Sequence, residues 1–211
     1  MILGVTPARG GSKGVPKKNI KDMLGKPLLA WTIESAKKSN LLDRYIVSTE
    51  NREIMAVAKK YGADFLIRPK NLATDSATTL SVLKHVLAKI DADIVVILQC
   101  TSSVRDDGLI DKCIKNFKDK RADSLATGFM CNFFEWGSYD GRRQDLKNFF
   151  HDDGNIYILK ADLIKKASHL KDAWGKKQER VVVSKDQNFE IDDEFDFWLN
   201  EQILLKRKNK C

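Results

Sequence analysis

The stretch PARGGSKGVPKKN, Pro7 to Asn19, sets Arg9, Lys13, Lys17 and Lys18 among Gly10, Gly11 and Gly14, directly after the apolar run MILGVT. Glycines let backbone N–H groups approach a polyphosphate closely, and Arg9, Lys13 and Lys18 can neutralise its charge. The spacing fits neither G-x-x-x-x-G-K-[ST] nor G-x-G-x-x-G, which argues against an ordinary P-loop NTPase or a dinucleotide dehydrogenase. A flexible, solvated turn is the competing reading. A second reactive pattern is NFEIDDEFDF near the C-terminal end. In an extended chain residues i and i+2 share a face, so Glu190 and Asp192 would converge. Mg²⁺ suits such a pair, because it takes one or two carboxylates and leaves its other positions to water and phosphate. The same acids also suit a helix start, with Asp192 or Asp193 as N-cap.

The elements that must position these residues alternate. Short β-branched apolar runs at Ile2–Pro7, Arg44–Ser48, Ala63–Ile67 and Ile94–Gln99 are separated by amphipathic segments at Leu28–Ser39, Arg52–Tyr61 and Thr78–Ile90. This is the pattern of βαβ units and predicts an α/β fold with an open, mainly parallel sheet. The glycine-rich loop then follows the first strand and Gln99 closes the fourth, so both face the crevice outside the strand carboxyl ends. After about Ala126 the rhythm breaks. GFMCNFFEWGSYDGRRQDLKNFF is aromatic and punctuated by glycine, which predicts irregular or antiparallel structure in an insertion at about 129–152 of a single 1–211 domain. Helix-like KADLIKKASHL, strand-like ERVVVSK and a last amphipathic helix follow.

Composition bounds the function classes. A chain of 211 residues with 43% hydrophobic content supports one substantial core. No uncharged apolar run approaches about eighteen residues, and MILGVTPARGG is too short and too soon interrupted for a signal peptide, so a soluble, cytoplasmic protein without a membrane partner is expected. Cys100, Cys113, Cys131 and Cys211 form no C-x-x-C pair and read as free thiols. The net charge of +8 suggests an anionic partner, although the tail KRKNK can supply it without any function. A nucleic-acid binder would interleave aromatic rings with its bases, and the glycine-rich loop has none, so no nucleic-acid partner is expected.

PARGGSKGVPKKNIKDMLGKPLLAWTIESAKKS, IVSTE, RPKNLATDSATT, LQCTSSVR, DGNIYI and EIDDEFDF occur in the order and approximate spacing of the acylneuraminate cytidylyltransferases, the CMP-sialic acid synthetases, which the chain resembles almost from end to end. That family shows A-R-x-x-S-K-G-x-P-x-K-N at the first loop, then R-P-x-x-L-A-x-D, L-Q-P-T-S-P-L-R, N-G-x-x-Y and I-D-x-x-x-D. The related synthetases for the eight-carbon acid Kdo have S-x-R-x-P-G-K at the first loop, which SKGVPKKN does not match. The resemblance implies a Rossmann-like sheet with a small dimerisation subdomain, a homodimer, and transfer of CMP from CTP to a nonulosonic α-keto acid sugar with release of pyrophosphate.

The resemblance also implies roles. Arg9, Gly10, Gly11, Lys13, Lys18 and Asn19 fall where the family handles CTP, Arg68 on its R-P arginine and Thr79 near the base. Simpler readings compete, with Arg68 a loop cation and Thr79 a helix residue bonded to its own backbone. Gln99, Arg143, His151, Asp153 and Tyr157 fall in the sugar half, and Glu190 and Asp192 on the acidic Mg²⁺ pair. Arg9, Lys18 and Asp192 are the expected catalytic residues. No covalent protein nucleophile is needed, since the sugar hydroxyl attacks the α-phosphorus directly. His85 and His169 read as structural or surface residues.

The departures concentrate on the sugar half. Cys100 and Ser103 replace two prolines of the Q-P-T-S-P-L-R motif, Asp153 replaces an Asn, Asn155 an Ala, and His151 stands where a second arginine is found. A neutral histidine cannot hold a carboxylate through two parallel charge-assisted bonds as arginine does. A legionaminate- or pseudaminate-type acid is therefore expected in preference to N-acetylneuraminate. A nucleotidyltransferase for another sugar or NTP, and a catalytically inactive relative serving as a binding subunit, are the alternatives.

Overall fold

The computed structural model describes residues 1–135, 137–138, 140–184 and 190–209, and the side chain of Arg143 and Cys211 lie outside this description. Strands β1 (Ile2–Pro7), β2 (Arg44–Thr49), β3 (Asp64–Ile67) and β4 (Ile94–Leu98) alternate with helices α1 (Leu28–Lys37), α2 (Arg52–Lys60) and α3 (Thr79–Leu87). Then come α4 (Leu109–Asp119), β5 (Ser124–Cys131), β6 (Phe149–Lys160), α5 (Ala161–Lys166), α6 (Leu170–Ala173), β7 (Gln178–Val182) and α7 (Glu194–Lys208). The strands form one seven-stranded sheet in the order β3-β2-β1-β4-β6-β5-β7. All pairs are parallel except β4–β6 and β5–β6. The expected open, mainly parallel α/β sheet is what the chain forms.

Helices cover both faces, so the central strands are buried on both sides and read as continuous apolar runs. Leu3, Val5, Val95 and Ile97 pack with Leu83 and Val86 of α3 and Ile164 of α5. Val96, Leu98 and Ile158 point the other way, onto Leu109, Ile114 and Phe117 of α4. A third cluster joins Leu29 and Ile33 of α1, Ile54 of α2 and Phe197 of α7 to Val47. β3 is a solvated edge, with Ile67 61% exposed, which is why its sequence alternates weakly.

Three local outcomes differ from the sequence reading. α4, absent from the amphipathic segments read above, opens at Gly108, whose φ of 77° is a left-handed geometry that glycine adopts without strain. KADLIKKASHL carries α5 and only the first residue of α6 rather than one continuous helix, because the Asp172 carboxylate accepts from the Ser168 and His169 amides and starts a new turn. Glu190 to Asp192 is not part of any hydrogen-bonded strand, although the charge of Asp192 still acts on Glu190. Asp193, not Asp192, caps α7. It accepts from the Phe195 and Asp196 amides, and Asp196 returns bonds to the Asp192 and Asp193 amides in a capping box.

The 129–152 region consists of the distal ends of β5 and β6 and their connection. It leaves Met130, Phe133, Phe134 and Phe149 exposed. At its other end this antiparallel pair is anchored by Asp123, which takes a bond from Lys160 Nζ at 2.7 Å and from the Lys176 and Lys177 amides at 3.0 Å.

These bonds hold the Asp123 carboxyl down to about 2, against about 3.9 when unfolded. A depressed carboxylate contributes stability that is complete above the unfolded value and is lost as pH falls through the folded one. Asp123→Asn should therefore melt about 3 °C below the parent near neutral pH. Scanning melts at successive pH values should show the gap closing between about pH 4 and about 2.

Candidate active site

Strand order places the site. From β1 the chain steps outward through β2 to β3, then crosses back to β4 on the other side of β1, so the crevice at the carboxyl ends of β1 and β4 is the topological switch point. A cavity of about 450 Å³ opens there, lined among others by Arg9, Lys13, Lys18, Arg68, Gln99 and Asp192. Asn19 and Thr79 also face it, whereas Gly10, Gly11 and Glu190 adjoin it without lining it.

The glycine-rich loop is fixed from beneath rather than free. Asn19 is buried and donates from Nδ2 to the Arg9 carbonyl at 2.8 Å. Gly10 donates its amide to Glu50 Oε1 at 2.7 Å. The three glycines differ in purpose. A Cβ on Gly11 would meet nothing within 4 Å, so its backbone face is open to a ligand. A Cβ on Gly10 would fall 2.5 Å from the Asn51 side chain, and one on Gly14 would fall 1.9 Å from the Asp192 carbonyl oxygen. Gly14 thus admits the acidic segment against the loop.

Lys18 completes that junction. Its ammonium donates to the Ile191 carbonyl and lies 3.9 Å from Asp192 Oδ1, with only 13% of the side chain exposed. From the other side, the Ile191 amide donates to the Thr101 carbonyl at 3.1 Å and Thr101 Oγ1 donates to Glu190 Oε1 at 3.2 Å. Burial and then the charge of Asp192 raise the Glu190 carboxyl above its ordinary range. Asp192 itself is free of the helix cap, and its side chain is 81% exposed toward the cavity.

Arg68 ends β3 almost fully buried, and its Nε donates to Glu50 Oε2 at 3.0 Å. Gln99 is held by its carbonyl, which accepts from Arg105 Nη2 at 2.5 Å. Burial pushes the Arg105 guanidinium down to about 10, and its Nη1 donates to Thr32 Oγ1.

Among the described side chains, the sugar-half candidates Asp153, Tyr157 and His151 do not line the cavity. Asp153 is 3% exposed, and its Oδ1 accepts from Thr127 Oγ1 at 2.6 Å and from the Asn155 amide at 3.0 Å. That burial raises its carboxyl. Tyr157 donates its hydroxyl to Asp152 at 2.9 Å, and burial raises it further from ionisation. His151 stacks edge-on against Phe129, ring centres 5.0 Å apart. Arg143 begins a 3₁₀ turn.

Sequence reasoning missed Glu50 and Asp75. Both occur in motifs quoted above, but their partners are 18 to 66 residues away, so spacing carried no signal. Asp75 accepts from Arg9 at 2.6 Å and from Lys13 at 2.6 Å.

An open α/β sheet with a glycine-rich, basic loop at its switch point is the architecture of a nucleotide-binding protein. A family model described as cytidylyltransferase matches residues 3–187, and the chain belongs to that family. It is 31% identical to the N-acylneuraminate cytidylyltransferase of Escherichia coli O18:K1:H7, over 99% of this chain and 53% of that protein, so it spans about half that relative's length. It is 33% identical to the pseudaminic acid cytidylyltransferase of Campylobacter jejuni, over 74% of this chain and 77% of that one. In fold it is similar to a CMP-2-keto-3-deoxy-manno-octonic acid synthetase solved with CTP, with a TM-score of 0.76 at 14% identity across 99% of both chains.

Glu50 should be the stability-critical acid of the site. Glu50→Gln leaves Arg68 buried without its counter-charge and should cost about 3 kcal/mol in urea unfolding. Combining it with Arg68→Met should recover most of that loss, since removing both charges leaves neither stranded.

Proposed function

We propose that this protein transfers CMP from CTP to a nonulosonic α-keto acid sugar and releases pyrophosphate. The observation that carries the reading is the convergence of Arg9, Lys13 and Lys18 with the free carboxylate of Asp192 on one cavity at the switch point. The anomeric hydroxyl oxygen of the sugar forms a bond to the α-phosphorus while the bond to the bridging α–β oxygen breaks. The hydroxyl proton leaves to solvent, and the electron pair departs with pyrophosphate. Arg9 and Lys13 stabilise the negative charge that grows on the leaving group, in a preformed site that reorganises little. Arg68 and Thr79 line the wall proposed for the nucleoside, and Gln99 projects from β4 toward the sugar.

The acids fit Mg²⁺. Asp192 points into the cavity and Glu190 adjoins it, a like-charge pair whose crowding a divalent cation would relieve. Among the described residues no group of three potential ligands is present, so the rest of an ion's shell would have to come from phosphate and water. Bound there, Mg²⁺ supplies neutralisation of phosphoryl charge. Lys18 holds the segment carrying both acids in place.

The pseudaminate- or legionaminate-type preference is supported by His151, which packs with aromatic rings where the resembling family has an arginine. The exposed rings Phe133, Phe134 and Phe149 support a homodimer through the 129–152 region, which also carries Arg143. No helix among the described residues is long and apolar enough to cross a membrane.

Pyrophosphate release should be measured for four NTPs against N-acetylneuraminate, pseudaminate, legionaminate and Kdo. CTP with a nine-carbon acid should be the productive pair, and release from no pair would overturn the reading. In that assay Arg9→Ala and Lys18→Ala should each lose ~10²-fold or more of the rate. Asp192→Asn should abolish Mg²⁺-dependent turnover while leaving the melting temperature nearly unchanged, because Asp193 is the cap. Sedimentation at micromolar concentration should give a dimer, and a fully active monomer would contradict the proposed interface.

A further inference from the structure

We infer that Asp75 occupies the polyphosphate position between turnovers and helps to drive pyrophosphate out, an inference that rests on the function proposed above. Asp75 lies in the connection between β3 and α3 and lines the same cavity as the basic loop. Its two oxygens engage two different cations, with Oδ1 accepting from Arg9 Nη1 and Oδ2 paired with Lys13 Nζ, each at 2.6 Å. A carboxylate spanning two cations in this way presents them with the geometry of two non-bridging phosphate oxygens. Among the described residues, Arg9 and Lys13 are the only groups to which the Asp75 side chain is bonded. Its carboxylate does not hold its own loop, where Thr74 Oγ1 instead bonds Asn71 and Ser76.

The cavity holds two kinds of acid–base pair, and they differ in strength. Glu50 and Arg68 are largely buried, and Glu50 also accepts from the Gly10 amide. Arg9, Lys13 and Asp75 are 36%, 78% and 53% exposed, and pairs so exposed are weak and screened by salt. A triphosphate with several charges can therefore displace Asp75, and the open face of Gly11 beside these cations leaves room for it. Once the α–β bond is broken, the departing pyrophosphate rests on Arg9 and Lys13. Asp75 then competes for those cations from within the protein, at an effective concentration set only by its loop. The competition weakens pyrophosphate and CTP binding alike and shortens the residence of the product, the step that limits turnover in many enzymes.

Calorimetric titration of inorganic pyrophosphate, and separately of CTP, into wild type, Asp75→Asn and Asp75→Glu tests this. Asp75→Asn should bind pyrophosphate about fivefold more tightly at low salt. The gap should narrow in ~0.5 M salt, and pyrophosphate should become a stronger product inhibitor. Asp75→Glu, which keeps the charge, should stay near wild type. Asp75→Ser should repeat the result of Asp75→Asn and guards against a folding defect in either variant. Unchanged affinity in Asp75→Asn would overturn the inference, as would weaker binding, which would make Asp75 a support for Arg9. Those failures leave wild-type CTP binding intact, whereas a wild type that bound neither ligand would overturn the proposed function and this inference together.

Discussion

Lys18 reaches across 173 residues of chain to the Ile191 carbonyl, and the site exists as a unit because of that junction. The basic loop belongs to the first βα unit and the acidic segment to the approach to the last helix. Nothing in the backbone ladders of the sheet joins them. Side-chain and loop features do so, among them the three that follow. Lys18 bonds the Ile191 carbonyl, the Ile191 amide bonds the Thr101 carbonyl, and Gly14 lacks the Cβ that would collide with the Asp192 carbonyl. Asp192 can remain solvated and free because its neighbour takes the cap. If Asp192 were the N-cap, its oxygens would be spent on helix amides and withdrawn from the cavity.

Concentrating cations at one crevice carries a cost in self-repulsion, and the chain answers each with an acid matched to its duty. Arg68 is immobilised by Glu50, which also grips the Gly10 amide, so one carboxylate sets the wall and the loop relative to each other. Lys18 faces Asp192 across 3.9 Å, close enough to balance charge without a hydrogen bond that would occupy the acid. Arg9 and Lys13 share Asp75 at the solvent side. Rigidity thus decreases from the sheet outward, with the buried pair as foundation and the exposed pairs where ligand charge must come and go.

How much of this was legible in sequence depended on whether the cause was local. The basic loop, the strand–helix alternation and the last helix were legible because periodicity and glycine clustering operate within a dozen residues. The place of Gln99 followed from its position at the end of an apolar run. The sheet order was not legible, since β6 enters between β4 and β5 by pairings 18 to 66 residues apart in sequence. Glu50 and Asp75 were invisible for the same reason, and Gly14 was read as ligand access when its close neighbour is a distant carbonyl. The Asp192 ambiguity, cap or free carboxylate, is one that composition cannot resolve, because the three successive acids Asp192 to Glu194 suit either. The sugar half was least legible. Asp153 faces the core and Tyr157 is bonded to Asp152, so residues expected at the ligand instead brace the strands around it.

The position of the acidic segment just before α7 has a consequence for biosynthesis. A chain emerging from the ribosome completes β1, its basic loop and β4 long before Glu190 to Asp192 are translated, and domains begin to acquire structure during that interval. Until then Lys18 has neither Ile191 nor Asp192 to engage, and the basic loop lacks the carboxylates of Glu190 and Asp192. Assembly of the pocket therefore waits for the acidic segment to be translated, and α7 acts as a latch that converts a binding cleft into a finished centre.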